Sequence, residues 1–344
     1  MKVVLGISGG VDSSVAAIIL KNKGYEVIGI TFIFTDDFDP KDAIEVCKKL
    51  NIEHHIIDYR ENFKNIVINN FINDYNNGLT PNPCVLCNKE IKFNFLYQAM
   101  TKYNADFIAT GHYAKIIDSR LYESEDLNKD QTYFLASLDK NKINKLLLPL
   151  EGITKEQVRE IAKEYNLINA SKKDSTDVCF INENFKEYMN KNIYTKKGNV
   201  INIETNEIIG THEGLQKYTI GQRKGLNIGG NQDRLFVVGK DIINNILYVA
   251  LGDNEYLYSD SCLLTNINWI DKEYTKCSAR FRYRQSKTDV TIEKIDNNNL
   301  LIKYDTPIKA VTKGQICALY NNNECLGSGI IKEVYKNNEK LWYL

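Results

Sequence analysis

Residues 5–14, LGISGGVDSS, constrain the fold of this chain more than any other stretch. They join a short apolar run over residues 2–7 to a run of helical character over residues 13–23. A strand, a glycine-rich turn and a helix in this order build an anion site, because the glycines let the backbone approach a phosphate and N–H groups of the first helical turn point into the loop. The side chains expected to cap the helix, or to hold a phosphate or its Mg²⁺, are those of Asp12, Ser8, Ser13 and Ser14.

The residues of this loop distinguish it from two other glycine-rich phosphate-binding loops. It lacks the Gly-Lys-Ser/Thr of a Walker A loop and the G-x-G-x-x-G of dinucleotide-binding proteins. The pattern S-G-G-x-D-S is the pyrophosphate-loop signature of enzymes that cleave ATP to AMP and pyrophosphate. The sequence therefore predicts an ATP site at the end of the first strand.

The N-terminal third alternates short apolar runs with helical patterns, which predicts a parallel sheet with right-handed crossovers and helices on both faces. Strands are expected over residues 2–7, 26–34, 54–58 and 106–110, and helices over residues 13–23, 40–50, 63–77 and 90–103. Ligands of such sheets bind at the carboxyl ends of the strands. Both the glycine-rich turn and Gly111-His112 should lie there.

The second half of the chain is different, because short β-rich segments alternate with Gly, Asn and Asp turns from residue 200 onward. We expect a pyrophosphate-loop catalytic domain over residues 1–192, a small β-rich central domain over residues 193–256 and a C-terminal β-barrel over residues 257–344.

Charge gives only a local indication of partners, because 44 basic and 44 acidic side chains cancel. Arg280, Arg282 and Arg284 alternate in an expected strand, which would place all three on one face suited to phosphates, with Tyr283 on the other. Weaker basic signals are Arg223-Lys224 and Lys172-Lys173, and His54 and His55 are expected to be structural.

The cellular compartment is indicated by the absence of membrane-helix, secretory and disulfide patterns from the sequence. No apolar run approaches the roughly 18 residues of a membrane helix, and no secretory leader precedes the first strand. The eight cysteines are scattered, unlike a disulfide framework. We expect a cytoplasmic protein with reduced thiols and no membrane partner.

Three cysteines stand in polar contexts. Cys84 and Cys87 form a C-x-x-C pair in TPNPCVLCN, where two prolines predict a rigid exposed loop, and Cys179 lies in a second polar stretch over residues 171–181. Zinc would need a fourth ligand. Three thiols suit an iron–sulfur cluster with one open iron, or a thiol pair with a third resolving thiol. The cysteines expected to be inert are Cys47, Cys262, Cys277, Cys317 and Cys325.

Long collinear motifs resemble those of the tRNA-specific 2-thiouridylases along the whole chain: SGGVDSSV, TPNPCVLCNKEIKF, ATGHYAK, KDQTYFLASL, KKDSTDVCFI, HEGLQKYTIGQRKGL, RYRQ and CLGSGII. The resemblance implies an adenine nucleotide α-hydrolase-like α/β domain followed by a small central domain and a β-barrel. It also implies ATP-dependent replacement of the C2 oxygen of the wobble uridine of tRNA by sulfur.

The resemblance also implies residue roles. Cys87 matches the catalytic nucleophile and Cys179 the cysteine that carries a persulfide, while Asn82, Pro83 and Cys84 surround the target base. The matched ATP-binding residues are Gly6, Ile7, Ser8, Gly9, Gly10, Val11, Asp12, Ser13, Phe32 and Gly111. The matched tRNA contacts are His112, Lys129, Asp130, Gln131, Arg282, Tyr283 and Gln315.

One departure leaves the sulfur chemistry open, because many family members have Asp at the position of Cys84. In one mechanism Cys179 delivers a persulfide sulfur and Cys87 releases the product by forming a disulfide. In the other, Cys84, Cys87 and Cys179 bind a four-iron [4Fe-4S] cluster, which the C-x-x-C pair favours. The family further implies Mg²⁺, tRNAs of the Lys, Glu and Gln type, and a sulfur donor such as a cysteine desulfurase or a sulfur-relay protein.

Two rival functions remain at this stage. One is an amidotransferase-type or synthetase ATP pyrophosphatase, which would need neither Cys179 nor a basic barrel. The other is a non-catalytic RNA-binding iron–sulfur protein, which would not need the pyrophosphate loop.

Overall fold

The structure is a computed structural model, and it describes residues 1–173, 178–181, 184–226 and 234–344. Among these residues every helix is too short or too polar to cross a bilayer. Part of the polar stretch around Cys179, residues 174–177, lies outside the described residues.

The first part of the chain forms the expected parallel sheet. The strands of this sheet are β1 Lys2–Gly6, β2 Glu26–Ile33, β3 Glu53–Asp58, β4 Phe107–Ala109 and β7 Leu146–Leu147. Between β4 and β7 the chain forms a short hairpin from β5 Lys115–Ile117 and β6 Arg120–Tyr122. The sheet order is β3-β2-β1-β4-β7, and every pairing in it is parallel. Strand β1 is central, and its Val3, Val4 and Leu5 are fully buried because helices cover both faces. The predicted fold class is confirmed.

Helices connect the strands close to the expected positions. They are α1 Val11–Asn22, α2 Lys41–Lys49, α3 Arg60–Phe63, α4 Asn69–Asn76, α5 Pro83–Leu86, α6 Phe93–Lys102, α7 Thr132–Leu135, α8 Lys140–Ile143, α9 Lys155–Glu164 and α10 Phe185–Asn192. Gly24 follows α1 with a φ of 82°, a left-handed conformation that glycine adopts without steric cost. Thr154 and Gln157 form a reciprocal capping box at the start of α9.

Two π-helical segments lie between α-helices and make longer continuous helices. Lys64–Ile68 joins α3 to α4, and Cys87–Lys92 joins α5 to α6. The helix expected over residues 90–103 therefore begins earlier, at Pro83. This earlier start carries both cysteines of the C-x-x-C pair into the helix.

The central and C-terminal parts are β-rich. The central strands β8 Gly198–Asn202, β9 Ile208–His212, β10 Leu235–Asp241 and β11 Ile246–Leu251 pair in the order β10-β11-β8-β9. The C-terminal strands are β12 Tyr258–Trp269, β13 Lys276–Arg280, β14 Thr288–Lys294, β15 Asn299–Lys309, β16 Ile316–Asn321, β17 Glu324–Lys336 and β18 Glu339–Lys340. Six of them, β12 to β17, close into a barrel because β12 pairs with both β15 and β17.

The barrel and the catalytic domain are built together. The β5–β6 hairpin, which belongs to the catalytic part of the chain, extends the barrel sheet through antiparallel pairing of β6 with β17. One hydrophobic cluster runs from Val4 in β1 through Tyr133 to Tyr320 in β16. This shared core fixes the barrel relative to the parallel sheet.

The expected arginine stripe is wrong. Strand β13 ends at Arg280, and the chain then turns, with the Gln285 N–H donating to the Arg282 carbonyl at 3.1 Å. The Arg280 guanidinium is mostly buried and pairs with Glu123 at 2.7 Å and Asp130 at 3.3 Å. Of the three arginines only Arg284 is exposed. The alternation pattern failed because it assumed that the strand continues past Arg280.

We expect Arg280→Ala to lower the free energy of unfolding by about 3–5 kcal/mol, because it leaves the buried carboxylates of Glu123 and Asp130 without their arginine. Arg284→Ala, the same change at an exposed site, should stay within about 0.5 kcal/mol of the parent. Urea unfolding of the three proteins measures the difference. Equal stabilities of the two variants would contradict the pairing.

Candidate active site

The glycine-rich turn connects β1 to α1 and is held by its own hydroxyl groups. Ser13 Oγ donates to the Gly10 carbonyl at 3.1 Å and accepts from the Ser8 N–H at 3.2 Å. Ser14 Oγ donates to the same carbonyl at 3.0 Å. The N-cap residue of α1 is Gly10, and no side chain caps the helix, so of the two roles expected for Asp12 and the serines the capping role is not observed. The first-turn N–H groups thus lack a side-chain cap, as an anion site requires.

Asp12 joins three segments that are distant in sequence. Its Oδ1 accepts a hydrogen bond from the Tyr113 hydroxyl at 2.7 Å and forms an ion pair with Lys155 Nζ at 2.6 Å. Tyr113 follows β4, and Lys155 is the first residue of α9. The carboxylate thereby positions an ammonium group beside the turn.

Close backbone contacts complete the turn. A Cβ on Gly111 would lie 2.7 Å from the Ser13 nitrogen and 2.8 Å from the Asp12 carbonyl carbon, so only glycine allows this approach of the two loops. Asn169 Nδ2 donates to the Gly9 carbonyl and to Ser14 Oγ, both at 2.9 Å. The turn and Gly111 therefore meet at the carboxyl edge of the sheet, as expected.

The remaining predicted ATP residue, Phe32, is buried. It lies near the end of β2, where its ring packs against Phe34 and Tyr59 with centroid distances of 5.7 and 5.5 Å. Its proposed contact with the nucleotide stays a prediction.

Sequence reasoning missed Tyr113, Lys155 and Asn169. Each is separated from the turn by at least 100 residues, so no local pattern connects them. The ATGHYAK motif was visible in the sequence, but only the fold shows that its Tyr113 meets Asp12.

The two cysteines of the C-x-x-C pair lie in a helix and not in an exposed loop, which corrects the sequence prediction. Asn82 caps the helix by accepting from the Val85 N–H at 3.2 Å, and Pro83 is its first residue. Proline is well tolerated there, because its missing N–H would have no partner in the first turn anyway. Cys84 is half-buried and Cys87 is buried.

The third cysteine lies close enough to act electrostatically on the pair. Burial raises the pKa of Cys84, and it raises the pKa of Cys87 to about 12. Cys179 has an exposed side chain but lies among many protein atoms, and this desolvation raises its pKa. All eight cysteines are free thiols.

Lys92 is a further group that the sequence did not single out. Its charge lowers the pKa of Cys84, Cys87 and Cys179, against the effect of burial. It also lowers the pKa of His112, after burial as the larger cause. Lys92 ends the π-helical segment that begins at Cys87, so the helix itself brings the ammonium group towards the thiols.

An iron–sulfur cluster would need its thiolate ligands gathered around one point. Across the described residues no three His, Cys, Asp or Glu side chains gather into a group that could hold a metal ion. The positions of Cys84, Cys87 and Cys179 therefore do not fit a preformed three-thiolate ligand set. We derive no step through a cluster.

The predicted tRNA contacts on the catalytic domain are largely engaged within the protein. His112 Nδ1 bonds to Thr110 Oγ1 at 2.8 Å, and Asp130 accepts from Thr132 and Arg280. Gln131 Oε1 accepts from the Tyr113 N–H at 2.9 Å, and Lys129 is half-buried.

The predicted contacts on the barrel also pack inward. Gln315 Nε2 donates to the Thr80 carbonyl at 2.7 Å, which ties the barrel to the segment before the cysteine helix. The Tyr283 ring packs on Phe134 with a centroid distance of 4.4 Å. Arg282 donates to the Ile220 carbonyl at 2.9 Å. Contact of these residues with RNA stays a prediction.

A cavity of about 440 Å³ opens beside Asn82 and Pro83, between the cysteine helix and the barrel. Its other walls include Phe71, Gly314 and Ile330. A larger groove of about 880 Å³ runs along the outer strand β3, and none of the predicted catalytic, ATP-binding or tRNA-binding residues lines it. The smaller cavity is the one that adjoins the expected position of the target base.

Comparisons with known proteins cover nearly the whole chain. Residues 1–183 match the tRNA methyl transferase HUP domain, residues 186–251 the tRNA methyl transferase PRC-barrel domain, and residues 259–331 the aminomethyltransferase beta-barrel domain. The chain is 45% identical over 364 residues to tRNA-specific 2-thiouridylase MnmA of Bacillus cytotoxicus, covering 100% of this chain and 98% of the relative. The same named protein of Mycoplasmopsis synoviae is 44% identical over 367 residues, with coverages of 99% and 98%.

Solved structures are similar over about half of the chain. A 4-thiouridine synthetase–RNA complex with bound ATP is 21% identical, with a TM-score of 0.39, and the match covers 52% of this chain and 44% of that one. An NMN synthetase from Francisella tularensis is 20% identical, with a TM-score of 0.35 and coverages of 55% and 71%.

We expect Lys155→Gln to weaken binding of Mg-ATP at least tenfold, because it removes the ammonium group that Asp12 holds beside the turn. Lys163→Gln, an exposed position on the same helix, is the matched control. Isothermal titration with a non-hydrolysable ATP analogue measures both. Unchanged affinity of Lys155→Gln would show that this ammonium does not serve the anion site.

Removing Lys92 should make the thiols harder to ionise. Because its charge lowers their pKa, Lys92→Gln should raise the pKa of Cys179 and move the pH midpoint of its alkylation by iodoacetamide upward. Peptide mass analysis across a pH series gives the midpoint, with Lys89→Gln as the control. Overlapping profiles for the parent and Lys92→Gln would contradict the electrostatic coupling.

Proposed function

This chain belongs to the tRNA-specific 2-thiouridylase family, and from that membership we propose the route by which it thiolates the wobble uridine of tRNA. ATP activates the C2 oxygen of the base, and a cysteine-bound sulfur then replaces it. The observation that carries this proposal is the placement of two sites in one catalytic domain. A pyrophosphate-loop turn lies at the sheet edge, and a capped cysteine helix borders a cavity between that domain and the barrel.

Activation is needed because the C2 carbonyl of uridine is a poor electrophile and its oxygen a poor leaving group. The oxygen attacks the α-phosphorus of ATP, the bond to pyrophosphate breaks, and the base carries AMP on its C2 oxygen. Backbone N–H groups of the turn and the ammonium of Lys155 are placed to stabilise the departing pyrophosphate.

A magnesium ion fits this site through Asp12. Both of the hydrogen bonds described for its carboxylate fall on Oδ1, so Oδ2 can serve as a ligand together with phosphate oxygens. The ion would supply charge neutralisation on the phosphates.

Sulfur transfer uses two thiols. A persulfide on Cys179, loaded by a cysteine desulfurase or a sulfur-relay protein, attacks C2 through its terminal sulfur, and AMP leaves. The Cys87 thiolate then attacks the Cys179 sulfur, which forms a disulfide between the two cysteines and releases 2-thiouridine. An external thiol reductant must reduce this disulfide before the next turnover.

The burial of each thiol suits its role in this scheme. Cys179 is exposed, as a residue loaded by a second protein must be, whereas Cys87 is buried. The pKa of Cys87 is raised by burial, so its thiolate needs the nearby charge of Lys92. Cys84 occupies the aspartate position of many relatives and has no obligatory step in this route.

Mass analysis of tRNA nucleosides tests the proposal. Purified protein is incubated with tRNA, Mg-ATP and a cysteine desulfurase with cysteine, anaerobically and with iron chelated. We expect 2-thiouridine from the parent and from Cys84→Ser, and none from Cys179→Ser or Cys87→Ser. Cys47→Ser, a buried thiol in α2, is the matched control.

Each contrary result has a distinct meaning. Thiolation that requires iron and is lost in Cys84→Ser would replace the persulfide route by the cluster route. Absence of 2-thiouridine from the parent protein, both with iron chelated and with iron present, would refute the proposed function.

A further inference from the structure

Two basic residues that the catalytic account does not use lie in a rigid turn of the central domain. Within the turn, the Gln222 side chain accepts from the Thr219 N–H and donates to the Lys224 carbonyl, both at 3.0 Å. The Gly221 N–H donates to the Val237 carbonyl at 2.7 Å, which ties the turn to β10. Arg223 and Lys224 project from it with exposed side chains.

Arg282 fixes this turn to the barrel. Its Nη2 donates to the carbonyls of Ile220 and Ala310 at 2.9 and 2.8 Å, and to Thr312 Oγ1 at 2.6 Å. A Cβ on Gly221 would lie 2.8 Å from the Ala310 Cβ, so the turn is seated tightly against the barrel. All three hydrogen bonds are donated by Nη2, so Nε and Nη1 of Arg282 take no part in them.

A third cation lies on the same surface. Lys186 Nζ, from the first turn of α10, is 3.1 Å from the position that a Cβ on Gly225 would occupy. Its side chain is exposed, like those of Arg223 and Lys224, and none of the three forms an ion pair with another described residue. Exposed cations that lack an ion pair among the described residues suit a phosphate-rich ligand.

We propose that Arg223, Lys224 and Lys186 form a binding surface for the RNA phosphate backbone, and that Arg282 is the positioning residue that holds it in place. The inference rests on the proposed function, which makes tRNA the substrate. Because the chain carries equal numbers of acidic and basic side chains, local surfaces of this kind must supply the attraction to RNA. A turn fixed to the barrel also keeps a constant geometry relative to the catalytic cavity.

The first test is the salt dependence of tRNA binding. We expect Arg223→Ala/Lys224→Ala to weaken binding and to reduce the slope of log affinity against log salt by about one unit for each phosphate that the variant no longer neutralises. The control is Lys23→Ala, which changes an exposed lysine at the C-terminal end of α1 and should leave the slope unchanged. Affinity for the ATP analogue should be the same in all of these proteins.

The outcomes separate the inference from the function. If the parent protein does not bind tRNA, the proposed function fails. If the parent binds and the double variant keeps its affinity and slope, only the basic surface is wrong.

A double-mutant cycle tests the positioning role of Arg282. If Arg282 acts by holding the turn, the drop in tRNA affinity caused by Arg282→Ala should shrink severalfold once Arg223 and Lys224 are alanine. Thr312→Val removes one of the three acceptors of Arg282 Nη2, so it should lower the tRNA affinity by a smaller factor, and this effect should also shrink once Arg223 and Lys224 are alanine. Additive effects on affinity would show that Arg282 acts independently of the turn and would overturn this part of the proposal.

Discussion

The carboxylate of Asp12 is the contact on which the arrangement around the pyrophosphate-loop turn depends. It joins the turn after β1 to Tyr113 after β4 and to Lys155 at the start of α9. This bridge holds the ammonium of Lys155 beside the turn, where it adds a positive charge to the backbone donors. The short distance between Gly111 and Ser13 adds a steric condition, since any side chain at Gly111 would separate the loops.

The helix that carries Cys84 and Cys87 depends on contacts from the barrel. Gln315 Nε2 donates to the carbonyl of Thr80, just before the helix that carries Cys84 and Cys87, so the barrel helps to fix this helix. The shared core between the parallel sheet and β16 has the same effect on a larger scale. The barrel also forms one wall of the cavity beside the cysteine helix.

The sequence predicted the elements whose cause is local. The pyrophosphate loop and the parallel sheet follow from turn chemistry and periodicity, and the structure confirms the sheet. Predictions failed where the same local sequence pattern is compatible with two different structures. Proline was taken to exclude a helix, although Pro83 begins one, and alternation at Arg280 was taken as a longer strand. Contacts such as Lys155 with Asp12 span more than a hundred residues, so they require the fold.

Adenylation of the base is the central chemical claim, and an oxygen label tests it most directly. A tRNA carrying ¹⁸O at C2 of the wobble uridine is incubated with the protein, Mg-ATP and a persulfide source, and the released AMP is analysed by mass spectrometry. If the C2 oxygen attacks the α-phosphorus, one ¹⁸O atom appears in AMP for each 2-thiouridine formed. Thiolation that yields unlabelled AMP would contradict activation through that oxygen.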